Sequence, residues 1–209
     1  DKIFKDDMAE LDAKLKLVIQ KQRVDLSGIL EIINIEPISE LSDLTWLDIS
    51  GTSVEDLSPV RNLNKLQVLR ANSTLVNDLS TLKYNVTLTE LEVSNTTVDD
   101  LSVLASLRNL EKLNLSNTQV NRLTHLKNCP NLIALNLSGT RINNIGILQD
   151  MLQLRYLNIS QTAVRDLNPV SELKDLQSLD ISGSAITNLQ ALSELENLHE
   201  LFCSNTGDL

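Results

Sequence analysis

Residues 110–131 read LEKLNLSNTQVNRLTHLKNCPN, and the spacing of their apolar residues recurs on both sides of this stretch. Eight leucines follow one another at intervals of 22 residues without an insertion: Leu44, Leu66, Leu88, Leu110, Leu132, Leu154, Leu176 and Leu198. A fixed period in this range is typical of a solenoid, because each unit can bury its apolar side only against its neighbours. The sequence therefore predicts one elongated domain with a continuous core.

Each unit divides into a strand and a return path. Leu113 and Leu115 alternate with polar residues, which predicts a short strand with one buried face. From Val120 to Cys129 the apolar residues are three apart, a spacing that suits a 3₁₀ or short helical return. Aspartates precede several returns, and we interpret them as caps of the free N–H groups first and as calcium ligands second. They are Asp56, Asp78, Asp100, Asp166 and Asp208.

Hydroxyl side chains recur at the corner between strand and return. A buried hydroxyl can donate to a carbonyl and accept from an N–H, so we expect this column to satisfy the polar backbone groups of the corner. The column consists of Thr52, Thr74, Thr96, Thr118, Thr140, Thr162, Ser184 and Thr206.

The start of the chain does not follow the repeat. In residues 1–22 the apolar side chains, including Phe4, Met8 and Leu11, fall on one face of an amphipathic helix. This helix is expected to cap the first unit, although it could instead dock on a partner. Residues 23–43 are interpreted as a degenerate first repeat, and residues 44–209 as seven full repeats with a partial eighth.

Composition and charge exclude several kinds of partner. A net charge of −10 and a pI near 4.6 argue against nucleic acid and anionic membranes, which both attract cationic proteins, and favour a basic partner. No apolar run approaches the roughly 18 residues that span a bilayer. The two cysteines, Cys129 and Cys203, stand at apolar positions and are predicted to be buried free thiols.

Catalysis requires acids, bases or nucleophiles that converge on one point, whereas a repeat spreads its polar groups in parallel lanes. His125 and His199 are several units apart, and no metal, phosphate-loop or hydrolase motif is present in the sequence. We therefore expect a protein that is not an enzyme and has no cofactor or metal.

The repeat, LxxLxLSxTxVxxLxxLxxL, resembles the 22-residue class of leucine-rich repeats found in bacterial internalins and in phosphatase-regulatory solenoids. Residues 44–63 and 154–173 carry the resemblance best. It implies an α/β fold, a right-handed horseshoe or arc with a concave parallel β-sheet, short 3₁₀ or irregular convex returns and an N-terminal capping helix. Threonine replaces the usual asparagine at the corner, which indicates a bacterial subgroup.

The resemblance also implies a function, because proteins of this family bind partners on the concave sheet. We expect a protein or peptide partner there, without nucleic acid or membrane insertion, and a secreted or cell-surface location in preference to the cytoplasm. The alternatives are an intracellular scaffold or regulatory subunit and a glycan-binding surface protein. The open C-terminal edge could also pair two copies end to end.

Side chains that alternate with the buried leucines should point outward from the sheet. Three of the five aromatic residues, Trp46, Tyr156 and Phe202, fall in this outward set, and exposed aromatics are typical of binding hot spots. The predicted partner-binding residues are Trp46, Asp48, Val68, Arg70, Glu90, Glu92, Lys112, Asn114, Asn136, Tyr156, Asn158, Asp180 and Phe202.

Overall fold

The structure is a computed structural model of the chain, and it describes residues 22–206. Within these residues, nine strands alternate with eight 3₁₀ helices. The strands are β1 (Arg23–Asp25), β2 (Trp46–Asp48), β3 (Val68–Arg70), β4 (Glu90–Glu92), β5 (Lys112–Asn114), β6 (Ala134–Asn136), β7 (Tyr156–Asn158), β8 (Ser178–Asp180) and β9 (Glu200–Phe202). The 3₁₀ helices are Glu36–Glu40, Ser58–Asn62, Ser80–Tyr84, Ser102–Ala105, Thr124–Asn128, Gly146–Asp150, Asn168–Val170 and Gln190–Leu192.

The nine strands of the described residues form one parallel sheet in which each strand pairs with the next along the chain. Equivalent residues of successive units lie opposite each other, as Leu47 does to Leu69 and Leu69 to Leu91. An open parallel sheet with 3₁₀ returns confirms the predicted leucine-rich repeat solenoid. The predicted capping helix lies outside the described residues, and the division of the chain at residues 22 and 43 stays a prediction.

One ribbon of apolar side chains runs behind the whole sheet. The central residue of every strand from β1 to β8 is buried, and Leu47, Leu69 and Leu91 have no exposed surface. On the returns, Val60 and Leu63 are also fully buried, because the three-residue period of a 3₁₀ helix keeps them on one side. In β9 the equivalent residue, Leu201, is 38% exposed.

The aspartates before the returns act as predicted. Asp56 accepts a hydrogen bond from the Ser58 N–H at 2.7 Å, and Asp100 accepts one from the Ser102 N–H at 2.8 Å. Each of these N–H groups lies at the start of a 3₁₀ helix, where it has no partner within the helix. Asparagines supply the same acceptor elsewhere: Asn34, Asn144 and Asn188. Asp208 lies outside the described residues.

Of the two hydrogen bonds predicted for the hydroxyl column, the structure shows donation to a carbonyl but not acceptance from an N–H group. Thr118 Oγ1 donates to the Leu115 carbonyl at 2.7 Å, and the other six threonines of the column repeat this bond three residues back within their own units. The exception is Ser184, whose buried Oγ has no hydrogen-bond partner among the described residues. The expectation that these hydroxyls also accept from N–H groups is wrong for residues 22–206. The corner N–H groups donate to backbone carbonyls instead. The Asn117 N–H, for example, donates to the backbone carbonyl oxygen of Ser138 in the next unit at 2.8 Å.

Both cysteines are free within the described residues, but one of them is less buried than predicted. Cys129 is fully buried with its Sγ 3.5 Å from the Leu107 carbonyl oxygen, and desolvation by this burial raises the pKa of its thiol to about 11. Cys203 is half-buried, because it directly follows β9 at the edge of the described sheet.

Candidate functional site

The first and third residues of each strand point away from the core, because side chains alternate along a strand. We call the surface that these residues form on β1–β9 the sheet face. All thirteen residues predicted from the sequence as partner-binding lie on it, distributed over β2–β9. Parallel register aligns them in two columns, so that Glu90 lies opposite Lys112 and Glu92 opposite Asn114.

The N-terminal half of the sheet face, β1–β5, carries a network of paired charges. Arg70 donates to Glu90 Oε1 from Nε at 2.8 Å and from Nη2 at 2.6 Å, and its Nε lies 3.5 Å from Glu92 Oε1. Lys112 Nζ lies 3.6 Å from the other oxygen of Glu90. The Glu90 hydrogen bonds raise the pKa of Arg70, and Glu90 is only 8% exposed. These charges are largely satisfied within the protein.

The aromatic residue of this half is covered by neighbouring cations. The guanidinium carbon of Arg23 lies 3.3 Å from the centroid of the Trp46 ring, and that of Arg70 lies 5.7 Å from it. Both distances are within the range of a cation–π interaction. The expectation that Trp46 is an exposed aromatic is therefore wrong: it is half-buried. The sequence held the signal, because the parallel register places Arg23 directly beside Trp46.

The C-terminal half of the sheet face, β6–β9, is open. A groove of about 350 Å³ runs across it and continues over β5 to Glu92 in β4. Its walls include Tyr156, which is 49% exposed, and Phe202, which is 53% exposed. Its floor includes the small side chains of Ala134 and Ser178. This groove brings together eight of the thirteen predicted residues: Glu92, Lys112, Asn114, Asn136, Tyr156, Asn158, Asp180 and Phe202.

The third residue of most strands has a structural task that the sequence analysis missed. Asn114, Asn158 and Asp180 each accept through Oδ1 from the N–H of the serine two residues later, at 2.9 to 3.0 Å. The same bond is made by Asp25, Asp48 and Asn136. Such turns are typical of Asp and Asn, and the recurring Asp/Asn-x-Ser pattern was the available signal. These turns occupy the Oδ1 of each side chain, and the second polar atoms of Asn158 and Asp180 bond to each other at 3.2 Å.

The polar groups of the sheet face do not form a metal site. Within residues 22–206, no group of three or more His, Cys, Asp and Glu side chains is placed to hold a metal ion. None of the helices in that range is long and apolar enough to cross a membrane.

Comparison with known proteins identifies the repeat. The family model described as the endo-beta-N-acetylglucosaminidase EndoS LRR domain matches residues 77–184, which is more than half of the chain. The chain belongs to this leucine-rich repeat family. A search of curated proteins found no match to this chain.

Solved structures of bacterial internalins share the leucine-rich repeat fold of the chain. An internalin (inlF) from Listeria monocytogenes is 25% identical with a TM-score of 0.78, over 95% of this chain and 69% of that protein. Internalin C2 (inlC2) from the same organism is 28% identical with a TM-score of 0.80, over 94% and 83%. The functional domain of InlJ from Listeria monocytogenes, which includes a cysteine ladder, is 23% identical with a TM-score of 0.70, over 88% and 42%.

These likenesses establish an internalin-like leucine-rich repeat array, a fold that supports a protein-interaction module. They leave the location of any binding surface to be inferred from the residues themselves. The two halves of the sheet face differ in how accessible they are to a partner. The side chains of the N-terminal half form ion pairs with one another, whereas the C-terminal half is open.

Proposed function

We propose that this leucine-rich repeat array is a non-enzymatic interaction module that binds a protein or peptide partner across the sheet face. In this proposal the array is secreted or displayed on a bacterial surface, as its likeness to Listeria internalins suggests. The thirteen predicted residues form the contact surface, and those of β6–β9 make the strongest contacts.

The observation that carries the proposal is the pair of exposed aromatic rings beside the groove. Tyr156 and Phe202 each leave about half of their surface in water, whereas Trp46 is covered by Arg23. Exposed aromatics next to polar groups are enriched at the centres of protein interfaces, where a partner excludes water from them. The groove crosses the strands continuously from Glu92 to Phe202, which suits an extended segment better than a compact cofactor.

A glycan is the second candidate partner. The family description names an endo-beta-N-acetylglucosaminidase, and the groove is lined by the planar amides Asn114, Asn136 and Asn158, which can both donate and accept hydrogen bonds. The serine turns already use the single oxygen, Oδ1, of each of these amides as an acceptor. That reduces the number of free polar atoms, and we therefore favour a peptide.

The test is a selection of short random peptides displayed on phage against the intact chain, followed by calorimetry with synthetic copies of the selected peptides. The double variant Tyr156→Ala, Phe202→Ala should lose more than about 2 kcal/mol of binding free energy, which is roughly 30-fold in Kd. The matched control is Tyr84→Ala, because Tyr84 is a 40% exposed tyrosine on a 3₁₀ return, away from the sheet face.

The control variant should bind the peptides like the wild type, and circular dichroism should show both variants folded. Peptides that bind the double variant unchanged would place the interface elsewhere. Failure to select any peptide, together with measurable binding of N-acetylglucosamine oligosaccharides, would favour the glycan instead.

A further inference from the structure

Resting on the proposed function, we infer that the C-terminal half of the sheet face receives a lysine or arginine side chain of the partner. The cation would lie against the carboxylate of Asp180 and between the rings of Tyr156 and Phe202. Three observations support this inference: the register of strands β7–β9, the negative charge of this half, and the stacking of Arg23 on Trp46 in the other half.

The register brings the three side chains to one place. Strand β8 lies between β7 and β9, with Asp180 opposite Asn158 on one side and opposite Phe202 on the other. In the neighbouring column Tyr156 lies opposite Ser178. Because serine is small, it leaves depth in front of Asp180, and all these side chains line the same groove.

The charge of this half is negative and unpaired. The sheet-face positions of β6–β9 hold two acids, Asp180 and Glu200, and no lysine or arginine. Within residues 22–206 neither acid forms a salt bridge, whereas Glu90 and Glu92 on β4 are both paired with Arg70. Asp180 Oδ2 accepts only a neutral bond at 3.2 Å, from Asn158 Nδ2. A cation would therefore complete a pair that the protein itself leaves incomplete.

The N-terminal half shows what such a cation does on this scaffold. There the guanidinium group of Arg23 lies over the ring of Trp46, in the column that also contains Tyr156. Among the described residues no cation lies over Tyr156 or Phe202. Aromatic faces attract cations, and more strongly when a carboxylate is close by and water is excluded. The net charge of −10 also attracts basic segments from a distance.

The test uses the peptides selected on the intact chain. Those that depend on Tyr156 and Phe202 should share a lysine or arginine, and replacing it by norleucine or citrulline should weaken binding at least about tenfold. The variant Asp180→Asn should weaken the basic peptide by a similar factor and should hardly affect the norleucine peptide. Asparagine keeps the Oδ1 acceptor for Ser182, as Asn114 and Asn158 do in their own turns. Its Nδ2 replaces the oxygen that accepts from Asn158 Nδ2, so the variant removes the charge together with that one neutral bond.

The matched control is Asp25→Asn, which removes a carboxylate from the same column and the same kind of turn on β1. Its peptide affinity should remain that of the wild type. Peptides that need Tyr156 and Phe202 but contain no shared basic residue, or that bind Asp180→Asn unchanged, would overturn this inference and leave the proposed function standing. Peptides that do not need the two aromatics would overturn both.

Discussion

The two halves of the sheet face share one backbone and differ in what their side chains bind. On β1–β5 the arginines and lysine of the face pair with neighbouring acids, and Arg23 covers Trp46. On β6–β9 the aromatic rings are exposed and Asp180 lacks a cation among the described residues. The strands themselves have the same length, pairing and register throughout.

This difference indicates how a repeat protein can acquire a local binding surface. The buried positions must stay nearly constant, because each unit packs on the next. The outward positions are free to change, and a small number of substitutions decides whether neighbouring columns neutralise each other. In the first half they do, so those side chains contribute mainly to stability. In the second half they do not, so they remain available to a partner.

The largest expected effect is on the free energy of unfolding, and it tests whether the two halves share one core. Leu69→Ala in β3 and Leu157→Ala in β7 each remove a side chain that is at most 3% exposed. Each should lower the free energy of unfolding by about 2 to 5 kcal/mol, because a cavity remains where the leucine was. The measurement is denaturant unfolding followed by circular dichroism. As a control, Leu201→Ala in β9 should cost less than about 1 kcal/mol, because that leucine is 38% exposed.

Clearly different losses for Leu69→Ala and Leu157→Ala would show that the halves differ in packing as well as in surface chemistry. The comparison between them would then have to begin with the core.

A smaller effect should separate the paired acid from the unpaired one. Glu90 and Glu200 belong to the same column, on β4 and β9. Glu90→Gln removes the charge that holds Arg70 and Lys112, and it should cost about 1 to 3 kcal/mol of unfolding free energy. Glu200→Gln removes an exposed charge and should change stability by less than about 0.5 kcal/mol. Urea titrations at low and high salt would measure the change in unfolding free energy of both variants.

If Glu90→Gln lowers the unfolding free energy as little as Glu200→Gln does, the ion-pair network on β4 adds nothing to stability. In that event its residues would be as available to a partner as those of β6–β9.

Much of this fold could be predicted from the sequence, because burial of the core depends on a repeating pattern. The 22-residue interval placed Leu47, Leu69 and Leu91 opposite one another, as the structure has them. The three-residue spacing on the returns predicted 3₁₀ helices, and the aspartates were correctly interpreted as their caps. Each of these features repeats along the chain, so several copies reinforce the same prediction.

The features that the sequence analysis missed depend on how particular side chains and corner residues are placed, and these differ from unit to unit. The stacking of Arg23 on Trp46 requires the register of β1 and β2 to be applied to individual side chains. The turn made by Asp180 with Ser182 was hidden because an outward polar residue looks like a contact residue. Positive φ values at Asn117 and Gln161 were also missed, since glycine occupies this corner position only in some copies, such as Gly139.

The smallest expected effect concerns pH and lies in the units of the N-terminal half. The Ser58 hydroxyl, followed by the Ser58 N–H, lowers the pKa of Asp56, and the N–H and hydroxyl of Ser102 lower the pKa of Asp100. A lowered pKa in the folded state means that the charged carboxylate stabilises the fold above the unfolded pKa of about 3.9. That contribution is lost as the pH falls below this value towards the folded pKa.

The double variant Asp56→Asn, Asp100→Asn should therefore be slightly less stable than the wild type at neutral pH, and the gap should close as the solution is acidified. Asparagine still accepts from the return N–H, as Asn144 does from Gly146 at 2.8 Å, so the variant loses the charge and keeps the cap. Urea unfolding at a series of pH values measures the gap, and Ser58→Ala should move the NMR titration of Asp56 back towards the usual aspartate pKa. A gap that stays constant from neutral to acidic pH would show that these carboxylates act as hydrogen-bond acceptors alone, as the asparagines do in the units where they replace them.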